Sequence, residues 1–433
     1  MAVAARLARG HIYYGWYIVA VAFLCNFVVL GLSSASPAVF LKPMTEELGW
    51  SRGFFSLATS LGIVISAPLG LVLGPFVDRR GARGLMIAGG IAIGLATAGL
   101  GLVHEKWQFL VLRTILAPLA MAGLGQLATQ VSVSNWLIKK RGRALSFTAM
   151  GWSAGSLATI PLANYLISAV GWRYAWLVLG LTAVVLVVVP AAVLMKRRPE
   201  NLGLLPDGQA AVARGGPSQP VSPSEVVWTR REAMRTSALW LFAFGFPIGW
   251  LASTAITQHL YSHLTDIDLS RNTATVMTMM VSFGSLVSKP VWGFIAERFS
   301  PKYCLAVMYA MLGTGMGLLV LVGANQGALY FVTAFMGSAL GGILLIQALL
   351  WAEYYGRMSL GKVQSVAMVV SSLINPMGPV LAGFMWDITG SYRGIFTGYI
   401  GAEALALLCI LLTRPPRKKG ELAPSPALSP AGR

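Results

Sequence analysis

Residues 74–83 read GPFVDRRGAR, and residues 293–302, displaced by 219 positions, read GFIAERFSPK. Gly74, Asp78, Arg79, Gly81 and Arg83 of the first stretch find Gly293, Glu297, Arg298, Ser300 and Lys302 in the second. Gly142 and Arg143 find Gly361 and Lys362 at the same offset, and GWR at 171–173 is answered by SYR at 391–393, one residue further on. A register shared across three polar segments marks an internal duplication, so the chain reads as two similar halves. Each copy of the first motif ends a long apolar run and opens another. Parallel repeats of this kind, related by an axis along the membrane normal, are a plan associated with alternating access.

The runs between these segments carry the fold class. Of 433 residues, 56% are hydrophobic and 11% charged, with mean hydropathy +0.69. Soluble domains carry roughly 25% charged residues, so most of this surface faces something other than water. A membrane-spanning helix needs roughly 20 apolar residues. Runs of that length are expected at 16–38, 54–76, 84–102, 107–135, 144–168, 172–195, 237–261, 274–296, 302–323, 326–352, 362–386 and 392–413. Barrel strands alternate over only about ten residues, whereas AWLVLGLTAVVLVVVPAAVLM at 175–195 is apolar on every side. The expected architecture is an all-α membrane protein with twelve transmembrane helices in two pseudo-symmetric six-helix bundles, residues 1–195 and 237–415. The Pro-, Gly- and Ser-rich segment 196–236 reads as a flexible connector with a short surface helix within 224–235, and 416–433 as a disordered tail.

The formal charge of +18 would suggest nucleic acid in a soluble chain. Its placement removes that reading. Of the 33 Lys and Arg, 25 fall on the side of the termini, 6 on the other and 2 inside spans. This is the positive-inside bias, and it predicts both termini in the cytoplasm, with anionic headgroups as partner of the basic face. Cys25, Cys304 and Cys409 lie in or beside spans and form neither a disulfide framework nor a metal set. Glycine runs such as GLGQLA at 123–128 belong to apolar helices and lack the phosphate-loop context. No catalytic constellation, cofactor or metal is expected, so the chain does not read as an enzyme.

The pattern G-x-x-x-D-R-x-G-x-R between the second and third spans, with its degenerate copy between the eighth and ninth, resembles the signature of the major facilitator superfamily. Within it, the chain resembles the monocarboxylate transporter family and its bacterial relatives that include the oxalate:formate antiporter. The matching stretches are YYGWYIVAVAF at 13–23, ELGWSRGFFS at 47–56, NWLIKKRGRALSFTAMGWSAGS at 135–156, QHLYSHLTD at 258–266 and AEYYGRMSLGKVQS at 352–365. The resemblance implies the twelve-helix plan, a monomer in the plasma (bacterial inner) membrane, and secondary transport of a small organic anion, with proton symport slightly favoured over exchange.

Charged groups inside spans are costly and commonly mark a pathway. Lys289, toward the cytoplasmic end of the eighth span, shares a helix face with Ser282 and Ser285. It can hold a carboxylate by a charge-assisted hydrogen bond or snorkel to headgroups. The family resemblance places there the basic residue, usually arginine, thought to engage substrate carboxylate. Two departures stand beside it. The position of the family's proton-coupling aspartate is Ser285, and a lysine after a proline in the first span is Ala38 after Pro37. Arg113 in the fourth span offers a second positive element or a structural pair. Glu403 in the twelfth span is a weak candidate for proton coupling, or a local hydrogen-bond donor. His259 can line the outer vestibule or sit satisfied at an interface. Asn375 lies beside Pro376 and Pro379, where a broken helix exposes carbonyls. Asp78, Arg79, Arg83, Glu297, Arg298 and Lys302 are expected to govern closure at the cytoplasmic face. The rival reading is a carrier for an amphipathic or neutral compound.

Overall fold

The computed structural model describes residues 13–32, 36–80, 82–137, 141–197, 199–202, 204, 228–356 and 360–416. The side chains of Asp78, Arg79 and Lys362, residue Gly81, most of the expected connector and residues 417–433 of the expected tail lie outside the described set.

The first half runs α1 (Gly15–Leu30), α2 (Ser36–Leu48), α3 (Arg52–Arg80), α4 (Ala82–Leu100), α5 (Lys106–Val111), α6 (Ala117–Leu124), α7 (Gln126–Trp136) and α8 (Arg141–Leu194). A widened π turn, Leu112–Leu116, joins α5 to α6. After a short α9 (Arg230–Met234), the second half runs α10 (Ser237–Asp266), α11 (Arg271–Arg298), α12 (Pro301–Leu321), α13 (Gln326–Tyr355), α14 (Leu360–Ile374), α15 (Met377–Thr389) and α16 (Arg393–Leu412). Among the described residues, nine helical stretches are long and apolar enough to cross a membrane, and 15–30 and 52–66 form shorter apolar helices.

Local chemistry sets the breaks. The 54 residues of α8 are two helical runs meeting at Gly171, whose φ of +81° lies where a side chain is strained. Asn375 and Pro376 separate α14 from α15, at the kink expected from Pro376, which has no N–H to continue the ladder. Ser270 opens α11 by accepting from the Thr273 N–H, and Thr229 with Glu232 forms a capping box at α9.

The buried apolar residues fall into two clusters. One lies wholly within 14–195, and the other within 228–410 apart from Ala38, Val39 and Ile160. The duplication has a counterpart in three dimensions. Arg83 donates to the carbonyl of Ala192 at the end of α8, and Lys302 donates to the carbonyl of Thr413 after α16. In parallel, α4 packs on the second run of α8 as α12 packs on α16. The outward faces are apolar, with Leu181, Val185 and Val189 on α8 and Leu405, Leu408 and Leu412 on α16 all exposed, as lipid contact requires.

The halves meet along α3 with α15, α8 with α11, and α2 with α10. Tyr14, Arg83, Ala192, Lys302 and Thr413 mark the face that carries the termini; Lys42, Arg52, Asp266 and Tyr392 mark the opposite face.

Candidate functional site

Lys289 lies two-thirds of the way along α11, and its Nζ donates to Ser153 Oγ of α8 at 2.6 Å. The bond crosses from one half to the other. No carboxylate stands within salt-bridge distance of Lys289 among the described residues. Ser282 and Ser285 are half-buried on the same helix. On its other side α11 is fixed against α13 by small residues, since a side chain on Gly337 or Gly341 would collide with the carbonyls of Val281 or Ser285. The lysine is therefore held at the seam by a closely packed helix pair and, among the described residues, is bonded to a hydroxyl, which a stronger acceptor can displace.

Asn375 sits at the break in the α14–α15 segment. Its carbonyl accepts from Thr254 Oγ1 at 3.1 Å, while its side-chain Oδ1 is buried with no partner among the described residues. Such groups are rare in native structures. Glu403 is 1% exposed on α16, and neither carboxyl oxygen has a partner in the described structure. Nearby, Trp250 donates to Gln347, which donates to Tyr309.

His259 is fully enclosed. Nδ1 stands 3.0 Å from the Tyr392 hydroxyl, and Nε2 stands 2.9 Å from the carbonyl of Pro379 and 3.0 Å from Ser56 Oγ. It does not line a vestibule in this structure; both ring nitrogens are used inside the seam.

The opposite face holds a network that sequence reasoning missed. Arg52, 3% exposed at the start of α3, places Nη1 2.5 Å from Asp266 Oδ2 and Nη2 3.1 Å from Oδ1. Its Nη1 also donates to the Tyr392 hydroxyl at 2.9 Å, and its guanidinium lies 3.6 Å from the centroid of the Trp386 ring. Lys42 adds a second cation 3.0 Å from Asp266 Oδ1. The carboxylate of Asp387 receives the N–H groups of Arg52 and Gly53 at 2.9 and 2.8 Å, capping the start of α3 from the other half. A hydrogen-bonded path thus runs from Asp266 through Arg52 and Tyr392 to His259. On the other flank of this face, Tyr261 donates to Asn164 and Asn164 to Asn272. Between them opens a pocket of about 370 Å³ that Lys42 and Arg271 help to line.

The residues expected to close the terminal face behave differently. Arg83 and Lys302 each bind a carbonyl of their own half. Glu297 and Arg298 are exposed, with the Arg298 guanidinium over Phe294 at 5.3 Å. Among the described residues, every polar bond between the halves lies at the opposite face, in the seam around His259 or at Lys289. The terminal face carries none of these bonds among the described residues.

Arg113, 5% exposed in the π turn, is within the first half and not beside Lys289. The cavity at its side is lined by α4, the π turn and its flanks, and Leu32.

A major facilitator superfamily model matches residues 21–270 and again 250–431. The chain belongs to the major facilitator superfamily, whose members are transporters and not enzymes. It is 26% identical over 455 residues to human monocarboxylate transporter 11, covering 97% of this chain and 90% of that protein. It is 25% identical over 430 residues to the 4-hydroxybenzoate transporter PcaK of Pseudomonas aeruginosa, covering 91% and 87%. The crystal structure of a D-xylose-proton symporter has the same fold, with TM-score 0.70 at 14% identity over 92% of this chain and 97% of that one. The protein is thus a multi-pass membrane carrier for a small organic solute, working by the alternating access of its superfamily.

Proposed function

We propose that the chain is a secondary transporter of a small organic anion of the carboxylate class, and that Lys289 is the group its carboxylate contacts. The observation that carries this reading is the Lys289–Ser153 bond: a cation inside the apolar layer, at the junction of the halves, with no acidic partner among the described residues. A charge kept there without a counter-charge is costly unless a ligand supplies one. Both relatives described above are carriers of carboxylates by name, which supports the substrate class.

In this reading the spans number twelve, with α1 continuing toward α2, α5 to α7 forming one span, α8 two, and α14 with α15 one. They form two bundles that rock about the seam, with the termini in the cytoplasm of a plasma or bacterial inner membrane. The protein works as a monomer. The structure then represents a state closed to the outside, with Lys289 and the unpaired Asn375 Oδ1 on the cytoplasmic route. Proton symport is the favoured coupling. Asp78, Arg79, Glu297 and Arg298 act in the other state, when the terminal face closes.

Purified protein in liposomes tests this. Saturable uptake of a labelled short or aromatic carboxylate, enhanced by an inward proton gradient, is the expected result. Uptake limited to neutral or amphipathic compounds would replace the substrate class, and carboxylate exchange without gradient dependence would replace symport.

A further inference from the structure

The motif that places Arg52 has a copy in the second half. ELGWSR at 47–52 and DIDLSR at 266–271 stand 219 residues apart, and their backbones match. Gly49 and Asp268 have φ of +64° and +62°, and Ser51 and Ser270 each accept the N–H three residues on, from Phe54 and Thr273. Arg52 and Arg271 therefore hold the same place, at the start of α3 in one half and of α11 in the other. Two carboxylates of the other half attend Arg52: Asp266 binds its guanidinium, and Asp387 receives its backbone N–H.

Arg271 has neither. The counterpart of Asp266 is Glu47, which is held by Trp172 and Arg173 of its own half. The counterpart of Asp387, by the 220-residue offset that relates GWR to SYR, is Ile167, which brings no acid. No carboxylate lies within 4 Å of Arg271 among the described residues. What stands beside it is the pocket of about 370 Å³, with Lys42, Asn164, Ile167, Tyr261, Asp268 and Arg271 in its wall. That volume admits a small organic molecule. Arg271 is exposed, so a ligand arriving from the face opposite the termini meets it without any movement of the halves.

We propose that this pocket binds one small carboxylate, with the Arg271 guanidinium as its principal contact and Lys42 as a second cation. The planar fork of a guanidinium matches a carboxylate, and Arg52 makes that pairing in this chain with Asp266. The ligand supplies at Arg271 what Asp266 supplies at Arg52. Lys42 is shared with Asp266 at 3.0 Å, so Arg271 is the cation left without a partner. Asp268 opposes the ligand, but it is one acid against two cations and pairs with neither within 4 Å. As a stage of transport the site rests on the function proposed above: it holds the solute at the closed outer face before the solute passes to Lys289.

The test is equilibrium binding of labelled benzoate to the full-length Lys289→Ala protein in detergent, which removes the central cation and leaves the pocket intact. The expected result is saturable binding, weakened about tenfold or more when Arg271→Gln is added, tightened by Asp268→Asn, and not competed by benzamide, the neutral analogue. Crystals of the unaltered protein grown with 4-bromobenzoate should show anomalous scattering from bromine in the pocket beside Arg271, which decides the matter even where Arg271→Gln does not fold. No saturable binding by Lys289→Ala, binding indifferent to Arg271→Gln, equal competition by benzamide, or bromine absent from the pocket would each overturn the site. Carboxylate uptake that is absent in liposomes while benzoate still binds through Arg271 would instead overturn the transport reading and leave the site standing.

Discussion

The guanidinium of Arg52 and the carboxylate of Asp266 form a two-pronged ion pair across the two halves of the chain, at 2.5 and 3.1 Å. Arg52 starts α3 in the first half, and Asp266 ends α10 in the second. The pair is buried on the arginine side and braced by Tyr392, Trp386 and Lys42. It must separate when the opposite face opens, so its strength sets part of the balance between the two states.

Removing one member should release that face. Breaking a buried pair costs about 3 kcal/mol, which shifts a two-state balance by about 100-fold. Arg52→Ala should move the population toward a form open at the opposite face. Spin labels at positions 46 and 393, on a background lacking the three cysteines, should report a longer distance than in the unaltered protein. The exchange Arg52→Asp with Asp266→Arg should restore part of the short distance. An unchanged distribution in Arg52→Ala would mean that Asp387 and the apolar seam hold the face alone.

The α11–α13 contact gives a packing prediction. A methyl at Gly337 meets the carbonyl of Val281, and forced overpacking costs about 1–3 kcal/mol. Gly337→Ala should lower the melting temperature and also slow transport, because α11 carries Lys289. Normal stability with normal uptake would show that the two helices separate at no cost.

Glu403 has no cation near its carboxyl among the described residues, and neither oxygen is bonded. An isosteric amide there strands no counter-charge. Glu403→Gln should therefore keep uptake and its response to a proton gradient within about twofold, with stability changed by about 1 kcal/mol or less. Loss of the gradient response with uptake retained by exchange would move the coupling role to Glu403.

At the opposite face of the first half, Trp172 donates to Glu47, and with Arg173 it holds this carboxyl below the usual glutamate range. A depressed carboxyl stabilises the fold above its unfolded pKa and loses that contribution as pH falls through the lower folded value. Trp172→Phe should lower the melting temperature near neutrality, by a difference that shrinks as pH falls below about 4.5, the ordinary value for the group. Melting curves across that range check the sign.

The helical membrane fold and the break at Pro376 were legible because hydropathy and a proline's missing N–H are local signals. The opposite-face network was not, although Arg52, Asp266 and Tyr392 stand in quoted motifs. Glu47 and Asp266 occupy equivalent places in the repeat, yet Glu47 binds Trp172 and Arg173 of its own half, whereas Asp266 is captured by Arg52 and Lys42 from across the seam. The repeat identifies both acids and cannot say which partner wins, since that depends on how the halves lean. His259 was legible as a polar residue in a span and not as part of that seam, because its partners come from α3, α15 and the turn before α16. Lys289 stood out by cost alone, whereas the lack of an acid beside it needed the packing of α8 on α11.

The most direct test of the central claim compares Lys289→Ala and Lys289→Arg with the unaltered protein in liposome uptake of labelled carboxylates, with folding confirmed for all three. The account predicts saturable uptake that falls by about tenfold or more in the alanine variant, since a charge-assisted hydrogen bond to substrate is lost, and that survives in part with arginine. A folded alanine variant that carries the carboxylate at the unaltered rate would contradict it.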